Sequence, residues 1–77
     1  MPKIFDKDGF RFFFYSNEHH PIHVHVRHGD GEAVFEMEEG VELRESQNMK
    51  MSELSKAQKL AEENRRLIME KWNEHIG

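Results

Sequence analysis

Phe10-Arg11-Phe12-Phe13-Phe14-Tyr15, the polar bridge Ser16-Asn17-Glu18-His19-His20-Pro21, and then Ile22-His23-Val24-His25-Val26-Arg27-His28 decide how this chain folds. The aromatic run has the composition of a strand packed on both faces. The second run alternates strictly. Ile22, Val24, Val26 and His28 fall on one side of a strand, and His23, His25 and Arg27 on the other. Pro21 turns His20 away from helical geometry, so the bridge reads as a connection.

Working outward, Asp6-Lys7-Asp8-Gly9 has the acidic and glycine residues of a tight reversal after the short apolar start Ile4-Phe5. Gly29-Asp30-Gly31 supplies a second hairpin loop. Glu32 to Met37 returns as a strand, and Glu38-Glu39-Gly40 turns the chain again into a weaker, charged edge strand, Val41 to Arg44. Glu45 to Met51 reads as a polar connector, and Ser52 as an N-cap. Leu54, Ala57, Ala61, Ile68 and Trp72 then step by three and four, with Asn64 in the gap before Ile68, and Gly77 follows as a helix stop.

These elements predict an α+β domain spanning residues 1–77. It has an antiparallel meander of four to five short strands within about 3–44, and one long amphipathic C-terminal helix over about 53–75 on one face. Phe12, Phe14, Val24, Val26 and Phe35 share the covered face. Phe13, Tyr15, His23, His25 and Arg27 share the uncovered one, and that face is where function is expected.

Composition narrows the classes. The 77 residues include no cysteine, which excludes disulfides and thiolate metal sites. A net charge of -4 is concentrated at -5 over residues 29–51, which argues against gripping a nucleic-acid backbone by charge. The chain has neither a membrane-length apolar run nor the apolar stretch of a secretory signal at its start, so a cytoplasmic location is expected.

Six histidines are the compositional oddity, and five lie between His19 and His28. His23 and His25 on one strand face can converge on a transition metal such as zinc or nickel, with His19, His20 or Glu36 as the third ligand. The same face also admits acid–base chemistry, including RNA cleavage, by His23 and His25 with Arg27 and Tyr15. The plainer alternative is a polar outer face, with His23, His25 and Arg27 paired across the sheet with Glu32 and Glu36. An uncovered patch carrying Phe13 and Tyr15 further suggests a protein partner or self-association.

Gly9-Phe10-Arg11-Phe12-Phe13-Phe14-Tyr15-Ser16-Asn17-Glu18-His19, Pro21-Ile22-His23-Val24-His25-Val26, Gly31-Glu32-Ala33, Glu63-Asn64-Arg65 and Trp72-Asn73-Glu74-His75 together resemble the small bacterial family called domain of unknown function 4160. The resemblance covers nearly the whole chain. It implies a bacterial cytoplasmic protein without an assigned reaction. It also implies a neighbour-encoded protein partner in an arrangement like a toxin–antitoxin pair, and so a regulatory or interaction module.

Overall fold

Two tight reversals shape the sheet. Asp8 and Gly9 both take positive φ, 54° and 82°, the two-residue hairpin geometry that follows the natural twist of paired strands. Gly29, at φ 59°, opens the second. The computed structural model describes residues 3–15 and 18–76; Ser16, Asn17 and the expected helix stop at Gly77 lie outside them. The strands are β1 (Lys3–Lys7), β2 (Phe10–Phe13), β3 (His23–His28), β4 (Gly31–Glu36) and β5 (Glu42–Gln47). They form one antiparallel sheet in chain order, followed by helices α1 (Met51–Glu63) and α2 (Arg65–His75).

Alternation along β2, β3 and β4 sorts the side chains as the sequence predicts for the covered face. Phe12, Phe14, Val24, Val26, Ala33, Phe35 and Met37 pack with Ala57, Leu60, Ala61, Ile68 and Trp72 in one core. Trp72 is its largest fully buried side chain and meets Phe14 edge-on, with ring centroids 5.3 Å apart. Phe5 stacks on Phe12 across β1 and β2 at 4.4 Å. Burying such large apolar groups supplies most of the folding drive.

Three expectations need correction. The single long helix is two, broken at Asn64, whose φ of -113° and ψ of 20° leave the helical range. Its side-chain Nδ2 and backbone N–H both donate to the Leu60 carbonyl oxygen, at 2.9 and 3.0 Å. A side chain that competes for backbone acceptors disrupts helix geometry. The apolar stripe carries across the break because Ile68 N–H still donates to the Asn64 carbonyl oxygen at 3.0 Å. α1 also starts earlier than Ser52: Lys50 is the N-cap residue, and its N–H donates to Glu53 Oε1 at 2.8 Å. Glu53, three residues on, thus satisfies the N–H of the cap residue itself, and the cap lies two residues before the serine expected to serve there.

The third correction is β5, which runs to Gln47 rather than ending at Arg44. All six of its residues are exposed, so no hydrophobic alternation announces it. Backbone pairing makes the strand instead, with Ala33 opposite Ser46, Val34 opposite Glu45, and Phe35 opposite Leu43 across a bulge at Arg44. Immediately after it the chain passes tightly over Gly31, where a Cβ would stand 2.5 Å from the Asn48 carbonyl oxygen and collide with Met49. No helix among the described residues is long and apolar enough to cross a membrane.

Candidate metal centre

His23 opens β3 and His25 follows two residues on, so strand geometry brings both rings to neighbouring positions. Their centroids are 5.3 Å apart. The third member is Glu18, from the segment joining β2 to β3. Its Oε2 lies 2.7 Å from His23 Nε2 and 2.8 Å from His25 Nε2. One ligand atom from each of these three residues lies within 4.8 Å of the others. The side chains are only 12% (Glu18), 10% (His23) and 13% (His25) exposed, so the cluster is largely withdrawn from water.

Hydrogen-bond chemistry makes this more than a contact. His23 Nδ1 lies 2.7 Å from the Pro21 carbonyl oxygen. A carbonyl only accepts, so Nδ1 carries the proton. Nε2 then faces a carboxylate either with a second proton, as imidazolium, or with a lone pair. A lone pair against a carboxylate oxygen at 2.7 Å is repulsive unless a cation stands between them. The short contact therefore needs a proton shared between ring and carboxyl or a cation in its place, and the three ligand atoms are close enough together to hold a metal ion. A ligating histidine that donates its other ring N–H to a backbone carbonyl is the usual support for a metal site.

A family model described as Domain of unknown function (DUF4160) matches residues 9–73 of the 77-residue chain. The chain belongs to that family. Neither a curated protein nor a solved structure matches it. The matched span of this DUF4160 domain includes all three members of the cluster.

The sequence-predicted residues divide between those gathered at the cluster and those placed elsewhere. His23 and His25 converge. None of the expected third ligands joins them in the described cluster. Glu36 sits opposite His23 across β3 and β4 but turns to Arg44, at 4.0 Å. His20 points to Glu38, 3.4 Å away, and His19 is exposed. Glu18 was missed because it carries no periodic signal. The clue was available as reach: only five positions separate it from His23, well within the span of a short extended segment.

The expected uncovered face is also different in this DUF4160 domain. Phe13 points away from the helices yet is fully buried, stacked with His25 at 5.5 Å, met edge-on by Tyr15 at 5.5 Å and capped by the Arg27 guanidinium at 5.8 Å. Polar neighbours cover it because the His25 ring and the Arg27 guanidinium lie over the aromatic ring while Tyr15 closes against it edge-on. His23 is likewise buried rather than outward-facing, and its ring lies 5.4 Å from Trp72. At the start of a strand the preceding loop, rather than parity alone, directs the side chain.

Tyr15 and Arg27 stay outside the cluster. Tyr15 meets His25 edge-on at 4.6 Å and its hydroxyl donates to Glu32 at 3.4 Å. Arg27 lies 3.6 Å from the same carboxylate. A cleft of about 240 Å3 opens beside His25, bordered by Tyr15, Glu32, Val34, Glu45 and Gln47. Behind the cluster, Glu38 Oε1 accepts the Ile22 N–H at 3.0 Å and fastens the entry to β3. That backbone hydrogen bond, helped by His20, holds the Glu38 carboxyl below its ordinary value of 4.5.

Proposed function

We propose that the chain is a metal-binding domain in which Glu18, His23 and His25 hold a divalent transition metal of the zinc class. The observation behind the reading is the shared Glu18 oxygen facing two Nε2 atoms while Pro21 fixes the His23 tautomer. Two imidazoles and one carboxylate suit zinc or iron(II), and three protein ligands leave coordination room for water or a bound group. Zinc ligands sit about 2.0–2.1 Å from the ion, so the tightest contacts would open by roughly 0.5 Å on loading.

Tag-free protein, stripped with chelator and titrated with zinc, should take up one equivalent. Glu18→Gln and His25→Ala should each weaken zinc binding by more than about 100-fold, beyond the usual loss for a supporting residue. Failure of the wild-type protein to bind zinc, iron(II) or nickel would reduce the cluster to a buried ion pair.

A second reading is a partner-binding module of a two-protein system, and it draws support from the open edge of β5. All six β5 residues are exposed, and Leu43 is 44% accessible. An unpaired edge strand is a template for another chain. Coexpression with the neighbouring gene product, followed by size-exclusion chromatography, tests it, and Leu43→Lys should weaken any complex that forms there.

A further inference from the structure

Beyond the cluster, the outward face carries an arginine pair that the metal reading does not explain and that packing explains only in part, through the Arg27 guanidinium that caps Phe13. Arg11 on β2 and Arg27 on β3 are directly opposed across the ladder. Like charges at opposed positions repel, so this pairing weakens the sheet unless something compensates. The compensation within the described residues is partial. Arg11 Nε reaches Asp6 Oδ1 at 3.4 Å, while Arg27 Nη2 stands 3.6 Å from Glu32 Oε1, beyond good hydrogen-bond distance.

Each guanidinium has five N–H donors, so most remain uncommitted among these contacts. Both side chains are about half exposed, at 54% and 50%. Between them lies an open cavity of about 350 Å3, bordered by Asp6, Gly9 and Gly29. The two glycines belong to adjacent hairpin turns and leave its rim without side chains; nothing lies within 4 Å of a Cβ placed on Gly29. Lys3 also reaches Asp6, at 3.1 Å. These ion pairs link Lys3, Arg11 and Arg27 to Asp6 and Glu32, while the adjoining turns carry Asp8, itself 3.2 Å from Lys56, and Asp30.

We propose that Arg11 and Arg27 form an oxyanion site that receives the phosphate group of a small phosphorylated molecule. Paired guanidinium forks match the geometry of phosphate oxygens. Arg27 lies two positions beyond His25 on the same strand face, so a phosphate here places the rest of the molecule within reach of the metal centre. Its role as a handle for substrate rests on the metal reading; the oxyanion site itself does not. A nucleic-acid backbone is disfavoured because one arginine pair is a small footprint on an acidic protein.

The test follows the guanidinium N–H groups by NMR while inorganic phosphate is added to metal-free protein at constant ionic strength. Saturable shifts at both arginines are expected. Arg27→Gln should raise the dissociation constant at least about tenfold, while Glu18→Gln should leave it unchanged and weaken zinc binding by more than about 100-fold. Thermal melts of each variant confirm folding. No saturable response in the wild-type protein overturns the proposal without touching the metal reading. Loss of the response in Glu18→Gln overturns it by placing the anion at the cluster. Tighter, Arg27-dependent binding of a short oligoribonucleotide than of phosphate overturns the assignment to a small molecule.

Discussion

The two faces of the sheet are covered by different means. On one, α1 and α2 lay aliphatic and indole groups over Phe12, Phe14, Val24, Val26 and Phe35. On the other no helix arrives among the described residues, and Phe13 is sealed by Tyr15, His25 and Arg27. The first is an apolar core. The second is a thin roof of polar side chains with apolar bodies, and its imidazole also belongs to the cluster with Glu18. The same residues there cover the sheet and offer candidate ligand atoms, whereas the core on the helical side is apolar packing. His23 links the two, because its ring touches both His25 and Trp72.

The sharpest way to break this comparison is to empty each side in turn. Trp72→Ala should cost about 3–5 kcal/mol, a large share of a small domain's stability, as read by urea unfolding. A loss below about 1 kcal/mol would mean that α2 is not docked as described. Phe13→Ala should cost about 3 kcal/mol by the same measurement if the polar roof excludes water. If the roof is open, the change will resemble a surface substitution, within about 0.5 kcal/mol.

Metal loading should sharpen the contrast. Zinc at about 100 times its dissociation constant should stabilise the wild-type domain by about 2.7 kcal/mol, raising the melting temperature by roughly 10–20 °C. His25→Ala should melt at the same temperature with and without zinc. Gly31→Ala probes the β4 approach instead, and should cost about 1–3 kcal/mol because the added methyl meets backbone at Asn48.

The smallest effect concerns Glu38. Its carboxyl titrates below 4.5 in the folded chain, chiefly through the Ile22 N–H bond. A lowered folded value means that its stabilisation is complete above 4.5 and fades as pH falls below it. Wild type should therefore melt slightly above Glu38→Gln at pH 7, and the two should converge on acidification. A gap that persists at pH 3 would remove the hydrogen bond as its cause.

Much of the fold was legible because its signals are local. Strand parity placed Val24, Val26 and Phe35 with the helices, and Asp8-Gly9 and Gly29 marked the reversals. β5 beyond Arg44 was not legible, since an exposed edge strand is held by backbone pairing that any polar sequence can make. The helix break was half visible: Asn64 stood in the stripe, but the second hydrogen bond to the Leu60 carbonyl, from the asparagine amide, is a matter of side-chain conformation.

By itself the sequence determined the two-faced sheet and the proximity of His23 to His25, because alternation along an extended chain is set by stereochemistry within a few residues. Only the tertiary structure decided that Glu18, rather than His19, His20 or Glu36, meets those rings, and that Phe13 is hidden. Both depend on how a connecting segment folds back and which side chains settle over a neighbouring strand. Such choices are made by competition for burial and hydrogen bonds across the whole domain, and no spacing rule encodes them.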